Sequence, residues 1–355
     1  MVKEKRNSNV ELLRIVSMNM VILMHGMQEL QAFDLPEIGM LYKAIKALCI
    51  VAVNVFVLIS GYYYTKPKFR IRATLSLVLS TWSYTVLVAL FRIVFTKGEY
   101  YPSVIDILPL LSRRYWFVNT YIGLSLLEPF LGKLSNSLKD KELLLLSMVL
   151  VGVFSVRPSL FPATWCLDSS GGYSLIWFIS LFFSAAGIHR WNRYLPSRKI
   201  ITWGGYLFAA LCVVLINEVI RDRLGNTYAQ KYYNYNNTIV LFESICLFAA
   251  TIQMQPQYSK VINFFAQHTF SAYILSYAVN DVLWTSILGF SKDSLGTFSG
   301  CLRLIVQVFI VFLICAFVDA IVTTGARLIK KRIPLSSAID RWIDKTQIKL
   351  DQVLE

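Results

Sequence analysis

The stretch "ELLRIVSMNMVILMHG", residues 11–26, is apolar over most of its length but carries Arg14 near one end and His25 near the other. An apolar run of about 20 residues is long enough to cross a bilayer as a helix, and ionisable side chains inside such a run are costly. Eleven residues make about three helical turns, so Arg14 and His25 share a face of the predicted helix and lie about 16 Å apart along its axis. The stretch therefore predicts a membrane-spanning helix with a cation near one boundary and a proton-transfer group deep inside.

The composition of the whole chain agrees with this prediction. Of the 355 residues, 56% are hydrophobic and only 16% are charged, whereas a soluble domain usually carries about a quarter charged residues. We therefore predict an all-α integral membrane protein, a polytopic bundle of about ten transmembrane helices, with one integral domain over 1–330 and a tail over 331–355. The predicted spans are 12–30, 44–64, 73–96, 115–131, 143–157, 173–189, 200–219, 237–254, 269–290 and 302–326.

The net charge of +14 is spread over short loops between the apolar runs. The two terminal tails and the loops on their side together carry twice as many Lys and Arg residues as the loops on the opposite side. The positive-inside rule therefore places both termini in the cytoplasm, and the pattern indicates membrane topology rather than binding of nucleic acid. The six cysteines include no CxxC pair and lie mostly in apolar runs, so we predict buried apolar side chains and no metal site.

Both ionisable residues of the first helix also have structural explanations. Arg14 can extend to the membrane surface as an anchor paired with Glu11, and His25 can form a hydrogen bond to a neighbouring helix. The functional interpretation is that Arg14 holds an anionic substrate and His25 acts as a general base, since an imidazole with an ordinary pKa of about 6.5 is available in its neutral form. The shared helix face favours the functional interpretation of the pair.

A second stretch, "NVFVLISGYYYTKPKFRIR" at 54–72, closes the second predicted helix and leads into a basic turn. Ser60 and Gly61 end the helix, and Arg70 and Arg72 lie in the turn. The structural explanation is that the glycine terminates the helix and the cations set the topology. The functional explanation is a rim that binds phosphate through the arginine side chains, each of which can donate two hydrogen bonds. The residues alone leave both explanations open.

Three carboxylates, Glu243, Asp281 and Asp319, lie inside later predicted helices. Each either assists His25 or a substrate, or pairs with another helix. A group of aromatic residues either stacks on sugars or forms the interfacial belt of a membrane protein. Its members are Tyr232, Tyr233, Tyr235 and Trp284.

The tail carries apolar residues at helical spacing, among them Trp342 and Ile343. Ser337 and Asp340, three residues apart, have the spacing of a capping box. We predict a short amphipathic helix on the inner membrane surface, without a catalytic role.

The Arg14-x10-His25 spacing, followed by "FVLISGY" at the end of the second predicted helix and by an arginine-rich turn, resembles the acyltransferase family 3 membrane proteins. The segments "YWFVNTYIGLSLLEPFL" (115–131) and "HTFSAYILS" (268–276) are similar to two later segments of that family. The resemblance covers nearly the whole chain. Ser276 departs from it, because the family usually has a histidine at that place, and this leaves His25 as the main candidate for a base.

The resemblance implies an O-acyltransferase in the bacterial plasma membrane. Such proteins move an acyl group, commonly acetyl, from cytoplasmic acetyl-CoA to a hydroxyl of a saccharide on or beyond the outer face, such as an exopolysaccharide, a lipopolysaccharide or a cell-wall glycan precursor. The implied partners are acyl-CoA, a saccharide acceptor and membrane lipids. A transporter or flippase for a lipid-linked saccharide, or a polysaccharide polymerase, would also have many helices and buried charges, and these are the alternatives.

The site residues expected on this interpretation form three groups. The catalytic candidates are His25 and Arg14, the acyl-CoA-binding candidates are Ser60, Gly61, Arg70 and Arg72, and the substrate-binding candidates are Trp116, Glu243 and Asp281.

Overall fold

The structure of the protein, a computed structural model, describes residues 6–35, 38–64, 67–95, 101, 103–104, 108, 110, 115–161, 169–192, 199–332 and 334–354. Within these ranges the regular elements are helices and no strand is present, which confirms the predicted all-α class. We number the principal described helices in chain order. They are α1 (Ser8–Glu29), α2 (Gly39–Cys49), α3 (Ala52–Tyr62), α4 (Ile71–Phe95), α5 (Trp116–Ser137), α6 (Asp140–Val151), α7 (Leu175–Trp191), α8 (Lys199–Leu224), α9 (Thr238–Ile252), α10 (Lys260–Ala266), α11 (Thr269–Ala278), α12 (Phe298–Arg332) and α13 (Pro334–Leu354).

Seven helical segments in the described part of the chain are long and apolar enough to cross a membrane. They are Ser8–Glu29, Gly39–Tyr62, Ile71–Val94, Asp140–Leu160, Lys199–Leu224, Asn226–Ile252 and Phe298–Leu328. Three further predicted spans are helical but lie outside this set: α5 is less apolar than the seven, α7 has only 17 residues, and α11 gives way to short turns over 280–287. The protein is therefore an integral membrane bundle, while the number of ten spans and the cytoplasmic location of both termini stay predictions.

Helix α1 runs through the bundle and packs against α2, α3, α10, α11 and α12. Its first turn is capped by Asn7, whose side chain accepts a hydrogen bond from the Asn9 amide (3.1 Å). Ser8 fixes the same end, because its Oγ donates to Asn263 Oδ1 (3.0 Å) and its amide donates to the Gln257 carbonyl (2.8 Å). Helix α1 is thus held on several sides, and the residues on its inward faces occupy fixed positions.

Two apolar clusters form the core, and α1 contributes to both. The first also includes side chains of α3, α7 and α9, and the second includes side chains of α11 and α12. Asn54 of α3 is fully buried, and its side chain is fully hydrogen bonded. Its Nδ2 donates to the Tyr235 carbonyl (2.8 Å) and to Ser244 Oγ (3.1 Å), and its Oδ1 accepts from Trp177 Nε1 (3.0 Å). This amide therefore ties α3 to α7 and α9 and fixes the backbone at Tyr235.

Helix α13 confirms the helix predicted for the tail. It covers Pro334–Leu354, so Ser337 lies inside the helix and the predicted helix start at Ser337 is wrong. Trp342 is 63% exposed whereas Ile343 is buried, so the two neighbouring apolar residues have different environments. The predicted location of this helix on the inner membrane surface stays a prediction.

Helix α13 lies against the basic turn that joins α3 and α4. The carboxylates of Asp340 and Asp344 accept hydrogen bonds from the two terminal nitrogens of Arg72, at 3.0 and 2.9 Å. Two turns further on, Asp351 accepts from the amide of Phe69 (2.9 Å). Three acidic residues of the tail therefore hold a turn for which the sequence left both a topological and a phosphate-binding explanation open.

Candidate active site at the end of the first helix

His25 lies one turn before the end of α1, and its predicted depth in the membrane stays a prediction. Its imidazole faces two cavities between the helices and packs against Tyr277 (ring centroids 4.7 Å apart) and Tyr273 (6.0 Å) of α11. The Nδ1 atom is buried and has no hydrogen-bond partner among the described residues. The interhelical hydrogen bond of the structural explanation is thus not made by Nδ1, and a buried polar atom without a partner needs another explanation, such as contact with a substrate.

The smaller of the two cavities, which we call the inner chamber, has a volume of about 30 Å³ and mainly apolar walls. The walls are formed by Met18, Val21, His25, Val53, Phe56, Trp116, Phe117, Tyr235 and Tyr273. The wall residues that α1 contributes, Met18, Val21 and His25, follow Arg14 at helical spacing. Arg14 and His25 therefore lie on one face of the helix, as predicted. A cavity of roughly 10–15 Å³ on this measure is enough to hold one water molecule, so the inner chamber has room for a small group.

Helices α3 and α5 carry matching pairs of residues beside the inner chamber. On α3, Phe56 lines the chamber and Ser60 follows one turn later; on α5, Phe117 lines the chamber and Tyr121 follows one turn later. The Ser60 and Tyr121 hydroxyl oxygens are 2.8 Å apart and share a hydrogen bond. The apolar wall therefore changes to a polar one within a single turn, in the direction of the N-terminal end of α1.

Basic residues surround that polar end. Arg14 donates through Nη1 to both carboxylate oxygens of Glu11 (3.2 Å each), and its side chain remains 33% exposed. Arg14 and Arg70 are both close enough to Tyr121 to act electrostatically on its hydroxyl. The guanidinium of Arg70 lies over the ring of Tyr64, 4.8 Å from the centroid. The structure therefore brings together Arg14, Arg70 and, through Tyr121, the predicted Ser60.

Arg72 and Gly61 have structural contacts instead. The Arg72 guanidinium is engaged by two carboxylates of α13. Gly61 lies where α3 crosses α7, and a Cβ at this position would lie 2.9 Å from Ala185 Cβ and 3.0 Å from the Phe182 carbonyl oxygen. Close packing of the two helices accounts for this glycine without reference to a ligand.

The larger cavity at His25, which we call the large cavity, has a volume of about 790 Å³. Its walls combine side-chain amides with aromatic rings, and it lies at the end of the bundle where α1 finishes. Besides His25, the polar and aromatic wall residues are Gln28, Glu29, Gln31, Phe33, Lys46, Trp116, Tyr173, Gln230, Tyr233, Asn234, Tyr235, Tyr277 and Asn280. A second cavity of about 680 Å³ adjoins it and shares Gln28, Gln31 and Lys46 with it.

Trp116, a predicted substrate-binding residue, belongs to the walls of both the inner chamber and the large cavity. Its ring system packs on Tyr173 (4.3 Å between centroids) and stacks on Tyr235 (5.6 Å). The turn before Tyr173 contains Gly171 and Gly172 with φ of 65° and 92°, values that favour glycine. The Tyr235 amide donates to the Gly171 carbonyl (3.0 Å), which joins the two tyrosine-bearing segments.

Glu243 and Asp281, the other predicted substrate-binding residues, line neither of the cavities at His25. Glu243 is fully buried in α9, and neither of its carboxylate oxygens has a hydrogen-bond partner among the described residues. Asp281 forms an ion pair with Arg92 of α4, with Oδ2 and Nη2 2.6 Å apart. The neighbouring Asn280 faces the large cavity in place of Asp281.

The third predicted carboxylate, Asp319, has a structural environment. It is buried in α12 and accepts hydrogen bonds from the hydroxyl of Tyr84 and from Nδ1 of His268. These contacts join α12 to α4 and to the start of α11, which agrees with the explanation of Asp319 as a partner for other helices.

Several wall residues were not found from the sequence. Lys46 lies in an apolar run, two turns inside α2, so the argument that selected His25 applies to it as well. Tyr277 directly follows Ser276, which is buried and donates to the Tyr273 carbonyl (3.2 Å). Ser276 stands where the family usually has a histidine, but it is the following residue, Tyr277, that contacts His25.

The aromatic residues predicted to stack on sugars divide into three sets. Tyr233 and Tyr235 line the large cavity, whereas Tyr232 lines neither of the cavities at His25. Trp284 is fully buried, packs against Gly26 of α1 and donates its indole N–H to Asn280 Oδ1 (2.9 Å), so it supports the wall from behind.

These features define a class of protein: an all-helical membrane bundle in which a buried histidine separates a narrow apolar chamber from a wide polar cavity. A family model described as an acyltransferase domain, that of acyltransferase family 3, matches residues 7–324, nearly the whole chain. The chain therefore belongs to this family, the resemblance predicted from its motifs is confirmed, and the protein is a membrane acyltransferase. Comparison with curated proteins and with solved structures gave no match.

Proposed function

We propose that the protein is an O-acetyltransferase of the bacterial plasma membrane that moves acetyl from cytoplasmic acetyl-CoA to a saccharide hydroxyl on the opposite side. One observation carries the proposal. His25 lies where the inner chamber meets the large cavity, and its Nδ1 has no hydrogen-bond partner among the described residues. A base in this position can reach a donor on one side and an acceptor on the other.

The donor side of the proposal is the N-terminal end of α1. Arg14 and Arg70 supply fixed positive charge beside Tyr121, and guanidinium groups bind the phosphates of CoA with charge-assisted hydrogen bonds. One turn further into the bundle the inner chamber begins, with apolar walls and room for a methyl group. These dimensions favour acetyl over longer acyl groups as the group transferred.

The acceptor side is the large cavity. Its walls present the amides of Gln28, Gln230 and Asn234 together with the rings of Trp116 and Tyr235. Amides donate and accept hydrogen bonds with hydroxyl groups, and aromatic faces pack on the apolar faces of sugar rings. This combination supports a saccharide as the acceptor.

In the proposed acyl transfer, His25 accepts the proton of the acceptor hydroxyl and then returns it to the leaving group. The neutral imidazole takes the proton of the acceptor hydroxyl while the hydroxyl oxygen attacks the thioester carbonyl carbon. The carbon–sulfur bond breaks as the ester forms, and the leaving thiolate receives the proton from the imidazolium. Formation of an acyl-imidazole at His25 would divide the same transfer into two steps.

The two alternatives are less well supported. A transporter or flippase for a lipid-linked saccharide, or a polysaccharide polymerase, needs neither an acyl donor nor a small apolar chamber at a base. Membership of an acyltransferase family over residues 7–324 favours acyl transfer. On this proposal, the helices of 1–330 perform the reaction and the tail of 331–355 contributes through its contact with the basic turn.

Purified protein in nanodiscs, incubated with radiolabelled acetyl-CoA and a panel of bacterial surface glycans, tests the proposal. We expect label in an alkali-labile ester on at least one glycan and release of one free CoA thiol for each ester formed. The same protein in liposomes, without acetyl-CoA, is assayed for movement of a fluorescent lipid-linked saccharide across the bilayer. Movement without any acetyl transfer would contradict the proposal and establish the flippase alternative.

A further inference from the structure

Among the described residues that line the large cavity, Lys46 is the only lysine or arginine. Its ammonium group lies between two aromatic rings. Its Nζ lies 4.9 Å from the ring centroid of Phe33 and 4.5 Å from that of Tyr233. Cation–π contacts fix the position of an ammonium group but provide no hydrogen-bond acceptor oxygen. The three N–H bonds of Lys46 therefore remain available for a ligand in the cavity.

Within the described part of the chain, no carboxylate forms an ion pair with Lys46. The other charged wall residue of the large cavity, Glu29, accepts a hydrogen bond from Asn280 Nδ2 (2.9 Å). A part-buried lysine inside an apolar helix is costly unless a partner or a ligand compensates its charge.

The adjoining cavity offers a direct comparison. Its cation Lys43 is one turn before Lys46 on α2, and it is paired with Glu218 (2.9 Å between Nζ and Oε1). Arg221 in the same cavity is paired with Glu218 as well. Lys43 and Arg221 are thus paired with a carboxylate of the protein. Lys46, on the wall common to both cavities, forms no such ion pair within the described part of the chain.

We infer that the large cavity takes an acidic saccharide and that Lys46 binds its anionic group, a carboxylate or a phosphate. The amide and aromatic walls hold the sugar, as described for the acceptor side, and the ammonium adds a charge-assisted contact that a neutral sugar lacks. The inference rests on the proposed function, since it names the chemical class of the acceptor in that transfer. Lys46 acts here as a specificity-determining residue and takes no part in the acyl transfer itself.

Binding without acyl-CoA separates this inference from the proposed function. Ligand-observed NMR titrations of protein in nanodiscs compare three probes: methyl β-glucoside, methyl β-glucuronide and methyl β-glucoside 6-phosphate. We expect at least one charged probe to bind about tenfold more tightly than the neutral one, and the charged probe that binds more tightly identifies the anionic group as carboxylate or phosphate.

Lys46→Met keeps the apolar stem and removes the charge, so the ratio of charged-probe to neutral-probe affinity should fall to about one. Lys43→Met is the matched control and should retain the difference, because Lys43 is already paired. The inference would be overturned by equal affinities for the three probes, by no binding of any probe, or by a preference for the charged probe that survives in Lys46→Met. If Lys46→Met does not fold, the comparison of the three probes on the wild-type protein decides. Binding with the expected preference but without acetyl transfer would instead overturn the proposed function.

Discussion

At the scale of single residues, His25 and Lys46 illustrate one physical argument. Each is a titratable side chain within an apolar helix, and each faces a cavity. Such a group needs either a partner or a task. The argument identified His25 from the sequence, but a lysine near the end of a predicted span is ordinarily interpreted as a topology signal. Only the cavity and the two rings beside Lys46 show that it has a different environment.

The inner chamber predicts acyl-chain selectivity that one residue can change. Val53→Ala removes two methyl groups from its wall, and we expect the ratio of propionyl to acetyl transfer to rise by roughly tenfold, since one methylene in an apolar pocket is worth about 1–3 kcal/mol. The measurement is kcat/KM for propionyl-CoA and for acetyl-CoA. Val55→Ala is the matched control, because Val55 is fully buried in the same helix but lies outside the chamber walls. An equal rise in both variants, or in neither, would contradict the assignment of the chamber to the acyl group.

At the scale of elements, the sequence predicted the helices better than their interruptions. The first helix was predicted over 12–30 and is found at Ser8–Glu29. The predicted span 269–290 is instead divided: α11 ends at Ala278, and a π-helical turn occupies Leu283–Ile287. Within the divided segment, Trp284 packs on α1 and donates to Asn280. The spacing of apolar residues predicts a helix, but it does not predict contacts with segments that are distant in the sequence.

The contact of α13 with the basic turn predicts different roles for the two arginines. Arg70→Ala should raise the KM for acetyl-CoA by roughly tenfold to a hundredfold, the range expected for loss of a charge-assisted phosphate contact of about 1.5–3 kcal/mol. Arg72→Ala should have a smaller effect, because its guanidinium already donates to Asp340 and Asp344.

The matched variant for this prediction is the double change Asp340→Asn with Asp344→Asn. Exposed ion pairs contribute about 0–1 kcal/mol each, so the thermal stability should change little. Release of Arg72 should lower the KM for acetyl-CoA severalfold. A KM that is unchanged in Arg70→Ala and in the double variant would show that this turn sets topology and does not bind the donor.

At the scale of the whole molecule, the site depends on contacts that the sequence does not reveal. Trp116 stacks on Tyr235, more than a hundred residues away, and that tyrosine is fixed by Asn54 of α3. Arg14 and His25 could be selected from the sequence because residue type and helical spacing are local properties, and Trp116 was selected because its segment resembles one of the family. The two cavities could not, because their walls come from α1, α2, α3, α5, α11 and the segment 230–235.

The proposed direction of transfer requires a particular orientation in the membrane. We predict that Lys68→Cys reacts with a membrane-impermeant thiol reagent only from the cytoplasmic side, and that Thr227→Cys reacts only from the outer side. Both positions are exposed, whereas the neighbouring Ala229 is fully buried and would not report. Labelling of Thr227→Cys only from the cytoplasm would reverse the topology and, with it, the side from which the donor enters.

The central claim is that His25 performs proton transfer between the inner chamber and the large cavity, and the acetyl-transfer rate of His25→Gln tests it most directly. Glutamine keeps hydrogen-bonding capacity but cannot act as a base at neutral pH, so we expect kcat to fall by about 10²–10⁴ while the protein folds and binds acetyl-CoA normally. His189→Gln is the matched control and should retain wild-type activity, because His189 packs on Tyr62 and lies outside both cavities. A folded His25→Gln protein that transfers acetyl at a near wild-type rate would contradict the account.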